Sequence, residues 1–322
     1  MLNFKLTIMK LNIKNSILVL CIILFAISCE KDDEVEMQQE DVLEMLQAPE
    51  NLVGSTDFAL KIELNWDVVM GAISYQVYRK DATADTSIEF ELIGESEVNS
   101  YIDLDVESNS EYQYFVRAYN GLDSDSSDIV FASTRFITAE EAFDVLAEYT
   151  GGIAYESPNA AHVSDRILTV IENHVEVASD LVFLIDNTGS MADDIHNVRT
   201  NLTEIIDALP PSVRVGVAEY GDNNVDEVWF EYLPLSTDYS EVVNYINNIT
   251  TTSGGDVPES VYDGIYETIE VMDWLSGGRR VIVVIGDAPP LEGDLTNHTL
   301  SEVINFANSE SVSANLYPIL VY

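Results

Sequence analysis

The chain has 322 residues, 47% of them hydrophobic, with 57 acidic against 14 basic side chains and a formal net charge of −43 at pH 7. That length allows two domains with real cores. The charge argues against nucleic acid or an anionic lipid surface as a direct partner, since phosphate contacts need clustered Lys and Arg, and most of the acidic side chains read as a solvated face that attracts cations and suits salty water.

The first 28 residues stand apart: Lys5, Lys10 and Lys14 make a basic start, and Ser16 to Ile27 is an apolar run too short for a comfortable membrane span. With "AISC" at its end the stretch reads as an export signal. It resembles a bacterial lipoprotein signal peptide, which implies that Cys29 becomes the lipidated first residue of the mature protein. Ala26 stands where Leu is commoner in that pattern. The following "CEKDDE" resembles the acidic tag that sends lipoproteins of some Gram-negative groups to the outer face of the cell. The other cysteine, Cys21, lies inside the signal, so the mature chain is expected to hold no disulfide. The expected protein is lipid-anchored in the outer membrane rather than spanning it, at the cell surface or on the periplasmic face. Residues 29–47 are polar and acidic without periodicity and read as a flexible tether.

Residues 48–136 follow period two. "KIELNW" alternates Ile62, Leu64 and Trp66; "SYQVYR" alternates Tyr75 and Val77; "EYQYFVRAYN" alternates Tyr112, Tyr114, Val116 and Ala118. Short strands with turn-rich pieces between them predict a β-sandwich. "APENL", Trp66, "YQVYR" and "YQYFVRAYN" resemble a fibronectin type III domain. The resemblance implies a spacer or an adhesive module. No catalytic cluster is evident in it, and the spacer is favoured.

From 138 to 322 strands alternate with helices, which predicts a doubly wound α/β domain. "DLVFLID" is an almost continuous apolar strand, as in a parallel sheet covered on both faces. Met191, Ile195, Val198, Leu202, Ile205 and Leu209 recur at helical spacing and predict one amphipathic helix. "VRVGVAEYGD" and "VWFEYLPLS" read as strands joined by the acidic loop "DNNVDE". Helices are predicted over 238–249, 258–274 and "TLSEVINFANSE", with strands at "RRVIVVIGD" and "NLYPILVY".

In open α/β sheets, ligands bind beyond the carboxyl ends of the strands. Three polar clusters are expected there: Asp186-x-Thr188-x-Ser190, Asp256 in "SGGDVPE", and Asp287 in "VIGDAPP". Carboxylates with hydroxyls and water make an all-oxygen shell that suits Mg²⁺ or Ca²⁺, whereas four scattered histidines (His162, His174, His196, His298) disfavour zinc. Asp256 also fits a helix cap, since Asp256-x-x-Glu259 with Pro258 in the first turn is a capping-box pattern. The "DNNVDE" loop hints at a calcium loop but lacks its turn glycine and distant Glu, so a solvated loop is expected.

"DNTGSM" and "GGDVPE…GDAPP" resemble a von Willebrand factor type A domain. The resemblance implies a metal-ion-dependent adhesion site in which Asp186, Thr188, Ser190 and Asp287 hold Mg²⁺ or Ca²⁺, directly or through water, and a partner fills the open position. Family members often carry Thr where Asp256 stands. They also usually continue past the last strand with a helix, "TGG", a short strand and a helix. Here "TAEEAFDVLAEYTGGIAYES" and "AHVSDRILTVIENHV" precede the first strand instead. Residues 138–177 are therefore expected to complete the domain as a circular permutation, the rival being a truncated chain with an incidental linker.

The expected function is a non-enzymatic, metal-dependent binding or adhesion module whose partner is an extracellular or envelope protein or glycan. A structural scaffold of an envelope complex is the alternative. A Mg-dependent phosphatase of the haloacid dehalogenase type is disfavoured, because it needs a second acid where Thr188 stands.

Overall fold

A computed structural model describes residues 44–322 except 84–86, 253 and 256. The predicted signal, Cys29, most of the tether and Asp256 therefore lie outside the described residues. No helix among the described residues is long and apolar enough to cross a membrane.

The alternating segments form a two-sheet sandwich. Its strands are β1 (Val53–Gly54), β2 (Ile62–Asn65), β3 (Ser74–Asp81), β4 (Glu91–Ser96), β5 (Ser100–Asp103), β6 (Glu111–Tyr119) and β7 (Val130–Ser133). One sheet runs β1-β2-β5 and the other β4-β3-β6-β7, all antiparallel. The inward positions are the alternating ones: Ile62, Leu64, Tyr75, Val77, Tyr112, Tyr114, Val116 and Ala118 are all buried. Trp66 packs edge-on against Tyr75 with ring centroids 5.2 Å apart. The one buried carboxylate among them, Asp103, is compensated by Arg79 at 2.9 Å and by the Tyr114 hydroxyl at 2.8 Å.

The α/β layer comprises α1 (Ala139–Thr150), β8 (Tyr155–Ser157), α2 (Val163–His174), β9 (Asp180–Asp186), α3 (Ala192–Thr200), α4 (Leu202–Asp207), β10 (Arg214–Tyr220), β11 (Phe230–Ser236), α5 (Tyr239–Asn248), α6 (Val261–Val271), β12 (Arg280–Gly286), α7 (Leu300–Ala307) and β13 (Ala314–Val321). The six strands are ordered β11-β10-β9-β12-β13-β8. All pairs are parallel except β10 with β11. Every residue of β9 and of β12 is buried. Side chains alternate between faces, so Leu181, Phe183 and Ile185 enter the core under α2–α5, while Val182 and Leu184 enter the core under α1, α6 and α7.

Residues 139–174 are built into this layer. A capping box of Thr138 and Glu141 starts α1. Phe143, Leu146 and Ala147 face one core, and Val163, Ile167, Val170 and Ile171 the other. Strand β8 pairs in parallel with β13, Tyr155 opposite Ile319. The first strand of the layer in the chain is thus its edge strand, beside the last.

Two helices differ from the sequence expectation. The single helix expected over 191–209 is a 3₁₀ turn at Gly189–Met191 followed by α3 and α4, broken at Asn201. The Asn201 side chain donates to the Asn197 carbonyl at 3.0 Å, and such local side-chain bonds compete with the helical ladder. The helix expected from Pro258 begins only at Val261. The sandwich touches the α/β layer where Ala59 and Ile137 join its core, and where Glu292 accepts from the Ser108 hydroxyl and the Ile137 amide.

Candidate metal centre

Adjacent parallel strands β9 and β12 end side by side, Ile185 opposite Ile285. The chain leaves β9 at Asp186, fully buried, and leaves β12 just before Asp287. A Cβ placed on Gly286 would lie 3.5 Å from Asp186 Oδ2, so the third loop starts against the first carboxylate. Asp186 Oδ1 accepts from the Thr188 amide at 2.8 Å. Asp287 Oδ1 is buried with no hydrogen-bond partner among the described residues, and Asp186 Oδ2 is buried beside the Tyr220 hydroxyl. The Thr188 and Ser190 hydroxyls lie 3.2 Å apart, Thr188 buried and Ser190 exposed.

Burial pushes the Asp186 carboxyl up to about 7; bonds from Thr188 and from the Tyr220 hydroxyl oppose this and the Asp287 charge adds to it. A carboxylate removed from water without a countercharge is unfavourable. A cation at this rim would supply the countercharge. The donor set fits a hard cation, Mg²⁺ or Ca²⁺: the Asp186 carboxylate and the unpartnered Asp287 Oδ1, beside two hydroxyls on one turn. Among the described residues, no group of three or more His, Cys, Asp or Glu side chains is arranged to hold one ion. The shell therefore rests on two acids plus hydroxyls, with Asp256 outside the described residues.

The three loops interlock. The Thr252 amide donates to the Asn187 carbonyl at 2.8 Å, joining the second loop to the first. The Glu259 amide donates to Pro289 O at 2.9 Å, and Glu259 O accepts from Leu291 at 2.8 Å, joining the second loop to the third. The Asn187 amide donates to Tyr220 O at 2.8 Å, and its side chain to Glu219 at 2.9 Å.

Three acids emerge here that the sequence reading left out or placed otherwise. Glu259 was expected as the partner in a capping box. The helix starts at Val261 with Ser260 as its N-cap and no side-chain cap bond, so Asp256 and Glu259 cannot be N-cap and third residue of α6. Glu259 is instead 4% exposed, with Oε1 beside Gly254. Burial, then the charges of Asp186, Asp222 and Asp287, push its carboxyl up to about 9. The "DNNVDE" loop is solvated at Asn224, Val225 and Glu227, but Asp222 is the exception: it is 4% exposed, accepts from the Asn224 amide at 2.8 Å, and faces the second loop at Gly255. Asp194, in the first turn of α3, is also buried, and burial followed by the charges of Asp193 and Asp287 pushes it up to about 6. Only the capping-box spacing drew attention to Glu259 in the sequence. Nothing local marks Asp194 or Asp222 as buried.

Asp263 on α6 holds two of the surrounding loops. It is 1% exposed and accepts from the Asn223 side chain, from Thr296 Oγ1 at 3.1 Å and from the His298 amide at 2.9 Å. Asp263→Ala orphans these donors and is expected to cost about 3 kcal/mol, since bonds to a charged group are each worth about 1.5–3 kcal/mol; urea unfolding checks this.

Residues 180–313 match the family model described as von Willebrand factor A domain, and the chain carries that domain there. Over 115 residues the chain is 30% identical to "Alpha-protein kinase vwkA" of Dictyostelium discoideum, a match covering 34% of this chain and 18% of that protein. The chain thus spans under a fifth of the length of the curated relative it matches. Fibronectin type III-like solved structures are similar to part of the chain. An Fn3-like protein from Clostridium thermocellum is 23% identical, covering 29% of this chain and 98% of its own, at a TM-score of 0.26. The fn3 domain of human collagen alpha-1(XX) chain is 19% identical, covering 29% of this chain and 89% of its own, also at 0.26.

Proposed function

We propose that the chain is a non-enzymatic binding module that holds Mg²⁺ or Ca²⁺ through Asp186, Thr188, Ser190 and Asp287, and takes an oxygen ligand of a protein or glycan at the open side of the ion. A von Willebrand factor A domain is in general an interaction module, and the match over 180–313 supports that class. One observation carries the metal: Asp186 is wholly buried at a strand end beside the Asp287 charge, with no ion pair among the described residues. Asp256, between Gly255 and Val257 of the same loop, is proposed as a further ligand. In this reading Cys29 is lipidated, residues 29–47 are a tether, and the sandwich of 48–136 carries the α/β domain away from the outer membrane. Residues 138–177 then form the permuted end of a domain spanning 138–322.

The test is a pull-down from the native envelope with the full mature chain. Wild type is expected to retain partners in the presence of Ca²⁺ or Mg²⁺ and release them with a chelator, and Asp186→Asn is expected to retain none. Retention that ignores both chelator and substitution rejects the metal-dependent reading in favour of a scaffold.

A further inference from the structure

Two buried oxygens stand without partners on the far side of β9 from the centre described above. Strand β9 lies between β12 and β10. The candidate centre sits where β9 and β12 end; on the other side, β9 and β10 pass into Asn187 and Gly221. Asn187 is 5% exposed, and its side-chain amide donates to Glu219, which turns Oδ1 away from that carboxylate. Oδ1 has no hydrogen-bond partner among the described residues, and neither has the buried Thr252 Oγ1. Both lie against Gly221. A Cβ placed there would stand 3.2 Å from Asn187 Oδ1, 3.0 Å from Thr252 Oγ1 and 2.5 Å from Asp226 Oδ2. Gly221 is outside the left-handed region, so its backbone would admit other residues; what excludes a side chain is the three oxygens. The first loop, the second loop and the turn after β10 thus each bring one oxygen to the space that a methyl group would fill.

Buried polar atoms are nearly always paired, so this convergence calls for an occupant. A water would bond the three oxygens but bring no charge. The surroundings are anionic: Glu219 and Asp222 are buried, Asp226 is half-buried, and none of the three has an ion pair among the described residues. We propose that this cavity binds a monovalent alkali cation, Na⁺ or K⁺, through Asp226 Oδ2, Asn187 Oδ1 and Thr252 Oγ1. The ligands are all oxygen and carry one negative charge, which one positive charge balances. Ca²⁺ sites gain affinity with the number of charged ligands, and Mg²⁺ demands an octahedral shell and gives up its water reluctantly, so a small site with one carboxylate selects against both. The bound ion ties the first and second loops to the turn at 222–226, separately from any metal at Asp186.

The experiment follows the melting temperature of the full mature chain, in a chelator of divalent ions, as NaCl or KCl replaces choline chloride at constant ionic strength. Choline screens the surface charge equally and is too large for the cavity. A ligand that binds only the folded state raises the melting temperature with its concentration. Wild type is expected to show a saturable rise with at least one of the two ions, and Asp186→Asn the same rise. Thr252→Val removes one oxygen at nearly constant shape and charge, and Gly221→Ala fills the cavity; both are expected to lose the rise. No rise in wild type with either ion means that the cavity holds water only, and overturns the proposal. A rise that Asp186→Asn loses assigns the ion to the first centre and overturns it too, as does a wild-type rise in either folded cavity variant. Should Gly221→Ala show no cooperative transition in choline chloride, Thr252→Val decides alone. None of these outcomes requires Ca²⁺ or Mg²⁺ to bind at Asp186.

Discussion

Asp186→Asn is expected to leave the chelated protein as stable as wild type or more so at pH 8, and to abolish its response to Ca²⁺ and Mg²⁺. The substitution keeps an acceptor for the Thr188 amide and removes a buried charge. Raising a carboxyl from 3.8 to about 7 is worth about 4 kcal/mol between its protonation states. In wild type without metal, the stability tied to the protonated carboxyl is fully present below pH 4 and is lost as pH rises through about 7. Glu259, held up to about 9, continues the same fall at higher pH. Wild type in chelator should therefore melt at progressively lower temperature from pH 5 to pH 9, and the variant should fall less over the first half of that window. A saturating cation reverses the trend in wild type, because it binds the ionised carboxylates. At a hundred times its dissociation constant it adds about 2.7 kcal/mol. Melting curves over this pH range, with chelator and with Ca²⁺, check both signs. An identical Ca²⁺ response in wild type and variant would remove Asp186 from the centre.

Deleting residues 138–177 is expected to leave 180–322 unable to fold. The segment contributes Phe143, Leu146, Val163, Ile167, Val170, Ile171 and Val175 to the two cores, all buried. At about 1.5–3 kcal/mol for each buried large apolar side chain, their loss comes to about 10–20 kcal/mol, against a total stability of about 5–15 kcal/mol for a typical domain. The deletion also uncovers the hydrogen-bonding edge of β13, where Ile319, Leu320 and Val321 pair with β8, and bare strand edges promote association. The α1 face adds specific contacts: the Thr150 carbonyl accepts from Asn315 at 2.6 Å and its hydroxyl from the Leu316 amide at 3.1 Å. Circular dichroism and sedimentation of the shortened chain check this. A soluble, cooperatively unfolding 180–322 would sink the account of 138–177 as part of the domain.

Contact between the layers makes the sandwich more than a neighbour in sequence. Glu292, five residues after Asp287, is 7% exposed and is held by Ser108 and Ile137. The loop that carries Asp287 is therefore braced from the sandwich side as well as by Glu259.

Much of this architecture is legible in the sequence because it follows from local periodicity. Alternation at Ile62, Leu64, Tyr112 and Tyr114 specifies a half-buried strand whatever lies opposite. The unbroken apolar run of β9 can exist only where both faces are covered. A polar triplet at its end, Asp186, Thr188 and Ser190, stands where open α/β sheets bind ligands. The helix break at Asn201 and the late start of α6 turn on a competing side-chain bond and on a backbone bridge from Glu259 to Pro289, and period alone reports neither. The same holds for Glu259, Asp222 and Asp194. Their carboxylates look like three more acids in a chain with 57 of them. What separates them is desolvation, and desolvation depends on which loops pack together, here loops distant in the chain that meet at one end of the sheet. By itself the sequence determined strands, helices, their alternation and the first carboxylate; only tertiary packing decided which other acids lose their water beside it.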